Sequence, residues 1–214
     1  MAPRPQPHER PTFERGAHVV MIPVKAFDRA KGRLSPALDE AARATLAEAM
    51  ATHVVQAQGP TPVAICCDDD GVASWATNTG AQVLWCPGTD LNGAVQHGFA
   101  MLREAGVAHV TIAHSDLPRA GALAHLMGWP GVTIVPDRHR TGTNVMALPT
   151  ALDFTFAYGT NSFQRHVREA VRLRRGLRIV HDDDLGVDVD HPEDLDDTGH
   201  EVRTLIERAT SDDH

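Results

Sequence analysis

Short apolar runs that alternate with helical segments are the feature that most constrains the fold of this chain. The clearest runs are six to eight residues long and rich in Val, Ile or Ala: AHVVMIPV, TPVAICC, AHVTIAH and GVTIVP, which begin at residues 17, 61, 108 and 131. Continuous apolar runs are typical of parallel strands that are buried on both faces. Helical segments between such strands supply the crossover connections. The pattern predicts a three-layer α/β domain with a mostly parallel sheet.

The order of these segments gives a map of the chain. Strands are predicted at residues 17–24, 61–67, 81–85, 108–114, 131–136, 143–149 and 177–180, with one more short strand over residues 185–189. Helices are predicted at residues 39–57, 72–78, 91–106, 118–127 and 162–176, with a last one after residue 191. We find no internal repeat. The map therefore predicts one domain over residues 17–208, preceded by a Pro-rich, charged and flexible leader (1–16) and followed by a tail (209–214).

Length and charge narrow the class of protein. A chain of 214 residues suffices for one well-buried domain, and a formal net charge of −8 disfavours broad nucleic-acid binding. No apolar run approaches the roughly 20 residues that span a bilayer, so no membrane partner is expected. Cys66, Cys67 and Cys86 lack metal-binding spacing, and their odd number argues against a disulfide framework. Reduced, buried thiols in a cytoplasmic protein are expected.

Polar residues that follow the strands indicate where a ligand would bind, because open α/β sheets bind ligands beyond the carboxyl ends of their strands. Lys25, Lys31 and Arg33 follow the first strand. Their charges suit a triphosphate, and a solvated basic turn is the alternative. The third strand leads to Asp90, a predicted helix N-cap, and to Asn92, whose amide suits the edge of a nucleotide base.

Three carboxylates follow the fourth strand and the predicted short strand at residues 185–189. Asp188 and Asp190 occupy alternate positions and therefore share one face, whereas Asp116 ends the fourth strand. Converging carboxylates repel one another unless a cation neutralises them, and hard oxygen ligands select Mg²⁺ or Mn²⁺. The residues therefore suggest a metal site, and simple capping of the last helix is the alternative reading.

Two loops contain glycine and hydroxyl groups, as anion sites do. The first places Thr141, Gly142 and Thr143 before a strand. The second places Gly159 and Ser162 at the start of a basic helix, where the helix N-terminus attracts an anion. Ser162 also fits a plain N-cap, and the two interpretations are compatible.

Taken together, the motifs PVKAFDRAKGRLS, SDLP, RTGTNVM, FAYGTNSFQRH and DVDHPEDL resemble those of a known family. The family is the guanylyltransferases of coenzyme F(420) biosynthesis, which join GTP to 2-phospho-L-lactate, phosphoenolpyruvate or 3-phospho-D-glycerate. The resemblance runs from about Val19 to Leu195. It implies a Rossmann-like nucleotidyltransferase fold of the glycosyltransferase-A type. It also implies GTP and a small phosphorylated acid as partners, and a homodimer.

The resemblance also implies a role for each matching residue. The catalytic residues, which would bind two Mg²⁺ ions, are Asp116, Asp188 and Asp190. The residues that would hold the phosphorylated acid are Thr143, Gly159 and Ser162. The residues that would contact GTP are Lys25, Lys31, Arg33 and Asn92. Departures from the family's usual motifs at Ser115, Thr160, Asn161 and His191 leave the choice of acid open.

The expected reaction is a guanylyl transfer. A phosphate oxygen of the acid, with phosphoenolpyruvate favoured, attacks the α-phosphorus of GTP and pyrophosphate leaves. Two alternatives remain from the sequence. One is a sugar-phosphate nucleotidyltransferase or glycosyltransferase of the same fold, which also uses a D-x-D pair. The other is a regulatory module that binds a nucleotide without turning it over.

Overall fold

Seven strands and five helices make up the part of the chain that the structure describes. A computed structural model describes residues 11–211, with side chains as far as residue 208. The strands are β1 (His18–Pro23), β2 (Val63–Cys67), β3 (Gln82–Trp85), β4 (His109–Ala113), β5 (Val132–Pro136), β6 (Thr143–Pro149) and β7 (Leu177–Ile179). The helices are α1 (Glu40–Gln56), α2 (Asp70–Asn78), α3 (Leu91–Glu104), α4 (Ser162–Arg172) and α5 (Pro192–Ser211).

The strands form one sheet in the order β3-β2-β1-β4-β6-β5-β7. Within residues 11–211 every pairing is parallel except those of β6, which runs antiparallel to β4 and β5. The reversal has a consequence for function. Because β6 runs backwards, its first residue, Thr143, lies at the edge where β1 and β4 end. The predicted mostly parallel sheet is confirmed.

Helices cover the sheet on both faces, as the apolar runs predict. Residues of α1 and α2 pack on one face and residues of α3 and α4 pack on the other. The runs are buried because each strand alternates its side chains between these two cores. Helix α5 packs against α1 through a third cluster that includes Met50, Val189 and Leu205. This cluster anchors the segment that carries Asp188 and Asp190.

The predicted short strand at residues 185–189 is wrong, although its alternation is right. Leu185, Val187 and Val189 are buried, while Asp188 and Asp190 are partly exposed. The segment is not paired in the sheet. It leaves a turn in which the Gly186 N–H donates to the Asp182 carbonyl at 2.8 Å, and then crosses the sheet edge. Its apolar face packs onto the core beside the sheet, which gives the same alternation as a strand.

One predicted helix is also shorter in the structure. The helix predicted at residues 118–127 is a 3₁₀ turn, Leu123–Leu126, because Pro118 and Gly121 leave few residues for a longer helix. The predicted leader falls partly outside the described residues. Within it, the Thr12 N–H donates to Gln82 Oε1 at 2.7 Å and the Gly16 N–H donates to the Gly106 carbonyl at 2.8 Å. At the other end, α5 continues to Ser211, and residues 212–214 lie outside the described range.

Membrane insertion by a helix finds no support in residues 11–211. None of the helices there combines the length and the apolar character needed to cross a bilayer.

Candidate active site

A cavity of about 850 Å³ opens at the sheet edge where β1 and β4 end and β6 begins. Five segments meet there: the loop after β1, the end of β4, the loop before β6, the loop before α4, and the segment before α5. Of the predicted site residues, the cavity is lined by Lys25, Lys31, Arg33, Asp116, Thr143, Gly159, Ser162, Asp188 and Asp190. Folding therefore gathers nine residues that are far apart in the sequence.

Lys31 links two of the carboxylates. Its side chain is 9% exposed, and its ammonium group donates to Asp116, to Asp190 Oδ1 at 3.2 Å and to the Val189 carbonyl at 2.7 Å. Burial disfavours both charges of the Lys31–Asp116 pair. Mutual attraction outweighs burial, so the pKa of Lys31 is raised and the pKa of Asp116 is lowered. The pair is therefore charged at neutral pH.

Asp188 lacks such a partner. Burial, followed by the nearby charge of Asp116, raises its pKa to about 6. The Asn144 amide donates to Asp188 Oδ1 at 3.4 Å and to the Leu185 carbonyl at 3.0 Å, which fixes the segment against β6. Asp188 is therefore a carboxylate that the described residues do not neutralise.

The last helix also holds the carboxylate segment in place. Asp194 Oδ2 accepts from the backbone N–H groups of Asp190 and His191, at 2.8 and 2.7 Å. Its other oxygen pairs with Arg138. Asp194 thus makes the contact of the third helical residue in a capping box, which ties the first turn of α5 to the residues before it.

The three carboxylates fit a divalent cation chemically, although the described residues do not form a finished metal cluster. Within residues 11–211 no three His, Cys, Asp or Glu side chains have the geometry of a metal site, and Asp190 forms ion pairs with Lys31 and Arg33. Asp116 Oδ1 is nevertheless buried and has no hydrogen-bond partner among the described residues. An unpaired buried oxygen beside a poorly neutralised carboxylate is the chemistry that a hard cation satisfies.

The predicted basic residues differ in how deeply they extend into the cavity. Lys25 is exposed at its mouth, and Arg33 is exposed while it donates to Asp190 Oδ2 at 3.1 Å. Lys31 lies in a left-handed backbone conformation (φ 54°) that directs it inwards. The basic turn is therefore part of the cavity wall, as a triphosphate site requires.

Neutral hydrogen-bond groups form the opposite wall. Thr143 and Ser162 are almost fully buried, and the Ser162 N–H donates to the Gly159 carbonyl at 3.0 Å. Gly159 has φ +104°, a conformation that side chains rarely adopt. Helix α4 begins at Asn161–Ser162 without a side-chain cap. The N–H groups of its first two residues, Ser162 and Phe163, donate instead to the backbone carbonyls of Gly159 and Thr141.

Two predicted donors are used within the protein. The N–H groups of Thr141 and Gly142 donate to the two oxygens of Asp137, at 2.8 and 2.7 Å. A side chain at Gly142 would meet that carboxylate, which explains the glycine. The loop before β6 is thus stabilised by Asp137 and contributes Thr143 to the wall.

The structure corrects the assignment of Asn92 to the nucleotide base. Asn92 Nδ2 donates to the Tyr158 carbonyl at 3.2 Å, and Asn92 Oδ1 accepts from the Tyr158 N–H. Both ends of the amide are therefore occupied by backbone. Asn92 stabilises the loop before α4 and does not line the cavity.

Three residues of the site were missed from the sequence. Asn144 follows Thr143 and reads as a strand residue, and His114 precedes the Ser-Asp pair. The Nδ1 of His114 lies 3.9 Å from Asp116 Oδ1. His166 lies one turn into α4 and is fully buried behind Thr143, at 3.0 Å. Nothing in the sequence pattern distinguishes these residues from ordinary core or surface positions.

Comparison with known proteins identifies the family of this chain. The model of the family described as "Guanylyl transferase CofC like" matches residues 18–200. A phosphoenolpyruvate guanylyltransferase of Conexibacter woesei is 36% identical over 188 residues, which cover 82% of this chain and 84% of that protein. The protein of the same name from Rubrobacter xylanophilus is 34% identical, with 82% and 90% covered.

Solved structures share the fold at low sequence identity. A nucleotidyl transferase from Methanothermobacter thermautotroptrophicus is 16% identical, with a TM-score of 0.59 over 88% of this chain and 99% of that one. A cytidylyltransferase from Leptospira borgpetersenii is 10% identical, with a TM-score of 0.56 and coverage of 92% and 95%. The predicted nucleotidyltransferase fold is confirmed. From the family model and these relatives, the chain belongs to the family of CofC-like guanylyl transferases.

Proposed function

We propose that the protein is a guanylyltransferase that joins GTP to a small phosphorylated acid, with phosphoenolpyruvate as the first candidate. One observation carries the proposal: a single cavity in a CofC-like chain joins basic, acidic and neutral donor groups at one sheet edge. The relatives named above as phosphoenolpyruvate guanylyltransferases favour that acid. The resemblance of the motifs to the F(420) family suggests the pathway.

The reaction needs little acid–base chemistry from the protein. A phosphate oxygen of the acid attacks the α-phosphorus of GTP, a new oxygen–phosphorus bond forms, and the bond to the β-phosphate oxygen breaks to release pyrophosphate. The attacking oxygen is already an anion at neutral pH, so no general base is required. Positioning and charge neutralisation supply the rate enhancement.

Basic residues at one side of the cavity would bind the triphosphate. Lys25 and Arg33 are exposed at the mouth and are available to the phosphate oxygens. Lys31 is held deeper, between Asp116 and Asp190. Arg and Lys neutralise phosphate charge through charge-assisted hydrogen bonds, and this would stabilise the departing pyrophosphate.

The acidic residues would hold the divalent cation. Asp116, Asp188 and Asp190 are its proposed ligands, and the unpaired Asp116 Oδ1 supports the assignment. Mg²⁺, when bound, would neutralise charge on the phosphates that react. Within the protein, Lys31 keeps Asp116 ionised, and Asn144 and Asp194 hold the segment that carries Asp188 and Asp190.

The neutral wall would bind the acid. Thr143 and Ser162 offer hydroxyl groups without adding a charge, and Gly159 adds no side chain to the space beside them. Such donors suit a small anion that must lie beside a more strongly charged nucleotide.

Pyrophosphate release tests the proposal. Purified protein would be incubated with Mg²⁺ and GTP, and in separate reactions with phosphoenolpyruvate, 2-phospho-L-lactate, 3-phospho-D-glycerate or a hexose 1-phosphate. We expect release that depends on GTP and on one of the three acids, with phosphoenolpyruvate the most active. Release only with the sugar phosphate would favour the alternative nucleotidyltransferase, and no release with any acceptor would contradict catalysis.

A further inference from the structure

We propose that His166 positions Thr143 as an obligate hydrogen-bond donor to an anionic oxygen of the phosphorylated acid. The identity of the ligand rests on the proposed function. The geometry that carries the inference belongs to three residues of this chain: His166 on α4, Thr143 at the start of β6, and Ala157 in the loop before α4.

The backbone decides which nitrogen of the His166 ring carries the proton. The Ala157 N–H donates to His166 Nε2 at 2.9 Å, and a backbone N–H is always a donor. Nε2 must therefore be unprotonated. A neutral imidazole carries its one hydrogen on the other nitrogen, so His166 Nδ1 is the donor in its 3.0 Å contact with Thr143 Oγ1.

The proton on His166 Nδ1 determines how the Thr143 hydroxyl group can bond. Because its oxygen accepts from His166, its own hydrogen points elsewhere, and no residue within the described range accepts it. Thr143 lines the cavity while being only 1% exposed. The remaining donor is thus directed at the space in which the ligand binds. A site built in this way favours acceptors, such as phosphate or carboxylate oxygens.

The ring is held firmly enough to set this direction. His166 is 0% exposed and packs edge-on against Tyr158 at 4.8 Å and beside Phe154 at 5.9 Å between ring centroids. Burial, and then the charge of Arg165 and the neighbouring His114, lower the pKa of His166 to about 4, while Glu169 acts in the opposite sense. The ring is neutral at neutral pH, as acceptance from Ala157 requires.

The same ring also anchors the loop that carries Gly159. Its bond from Ala157 lies two residues before Gly159 and five before Ser162. One buried side chain therefore sets the position of both segments of the neutral wall. We regard His166 as a positioning residue, since it contacts Thr143 and Ala157 rather than the cavity itself.

Two substitutions of similar shape test the hydrogen bond that His166 Nδ1 donates to Thr143. His166→Asn places an amide nitrogen near the position of Nδ1 and can still donate to Thr143, whereas His166→Leu has the same branched outline without a donor. Both variants lose the acceptor for Ala157 and leave the same space. We expect KM for the acid to rise about tenfold in His166→Leu and to stay within about threefold of wild type in His166→Asn. KM for GTP should be unchanged in both.

Combining each His166 variant with Thr143→Val tests whether His166 acts through the Thr143 hydroxyl group or through a general change in the packing of the site. If His166 acts through the Thr143 hydroxyl group, the difference between the Asn and Leu variants disappears in that background. Equal KM values for the Asn and Leu variants in the wild-type background would overturn the proposal. So would a difference between them that persists in Thr143→Val. Melting temperatures of all variants control for folding.

The experiment separates this inference from the proposed function. If the wild-type protein turns over none of the three acids, the proposed function has failed. The variants are then compared by calorimetric binding of phosphoenolpyruvate, and weaker binding by the Leu than by the Asn variant supports the role of His166. Equal binding, or no binding by wild type, overturns it.

Discussion

The two walls of the cavity differ in charge and in how their side chains are held. One wall carries Asp116, Asp188, Asp190 and Lys31, which are charged and partly buried. The other carries Thr143, Gly159 and Ser162, which are neutral and held by hydrogen bonds within the protein. Both walls lie at the same sheet edge and both would contact anions.

The difference shows which half of the site is preorganised without a ligand. On the neutral wall, the ring of His166 is fixed at both nitrogens, and the Thr143 hydroxyl group keeps its own hydrogen available for a ligand. On the charged wall, Asp116 Oδ1 has no partner in the described chain and the pKa of Asp188 is raised to about 6 by burial and by Asp116. The charged wall is therefore under electrostatic strain that a cation would relieve, whereas the neutral wall is preorganised.

The largest expected effect comes from removing a charge from the charged wall. Asp188→Asn should lower kcat/KM by about 1,000-fold or more, because a lost metal ligand removes several kcal/mol of charge stabilisation. The same change should raise the stability of the metal-free protein at pH 7 by about 2 kcal/mol. A raised folded-state pKa means that ionised Asp188 is disfavoured in the folded state, and the amide avoids that cost.

Steady-state kinetics and urea unfolding in EDTA measure the two effects. Asp183→Asn, which alters an exposed carboxylate of the same segment, is the matched control and should change neither quantity. Loss of both activity and stability in Asp188→Asn would contradict the account of a strained charged wall.

Removing the cation of the charged wall should have the opposite effect on stability. Lys31→Met leaves Asp116 buried without its partner and should destabilise the metal-free protein by about 3 kcal/mol. Mg²⁺ should restore more stability to this variant than to wild type, since the freed carboxylates bind it more readily. Arg33→Met removes an ion pair whose arginine side chain is 68% exposed and should cost less than about 0.5 kcal/mol. Thermal melts with and without Mg²⁺ compare the two, and equal losses would count against the deep position of Lys31.

The neutral wall should show its own dependence on pH. The pKa of His166 is lowered to about 4 in the folded protein, from an ordinary value of 6.5. Between these values the unfolded chain binds the proton more readily, so stability should fall as the pH falls from about 6.5 to about 4, by about 3 kcal/mol in all. His166→Asn should lack this contribution. Urea unfolding at a series of pH values tests it, and identical slopes for variant and wild type would contradict it.

Asn92 should affect stability less than Lys31 or His166 does. Asn92→Ala removes two hydrogen bonds to the backbone of Tyr158 and should cost about 1–2 kcal/mol of stability. The ratio of kcat/KM for GTP to that for ATP should not change, because the amide is occupied by the protein. A fall of that ratio towards one would restore Asn92 as a base-reading residue.

Most of the fold was predictable because its elements are set by local patterns. The Val- and Ile-rich runs gave seven strands, and the apolar periodicity of residues 39–57 and 91–106 gave α1 and α3. The extra strand at residues 185–189 was not excluded, since alternation reports which side chains are buried and not whether the backbone pairs. The antiparallel pairing of β6 with β5 agrees with the short connection between them, because residues 137–142 are too few for the crossover that joins neighbouring parallel strands.

The site residues also differ in how far the sequence could assign them. Charged residues after strand ends, such as Asp116 and Lys31, could be placed at the sheet edge by the general rule for α/β folds. Asn92 was misjudged because an amide after a strand has the same appearance whether it faces a ligand or a neighbouring loop. His166 was passed over because its role depends on two partners, Thr143 and Ala157, that only tertiary structure brings to its two nitrogens.

Labelling the phosphate oxygens of the acid tests most directly whether the acid attacks the α-phosphorus of GTP. The protein would be incubated with GTP, Mg²⁺ and phosphoenolpyruvate labelled with ¹⁸O in its phosphate group, and the products analysed by mass spectrometry. Guanylyl transfer to the acid predicts a GMP-linked diphosphate product that retains all of the label, together with unlabelled pyrophosphate. Label in free phosphate or pyrophosphate, or GTP consumed without a linked product, would contradict attack of the acid on the α-phosphorus.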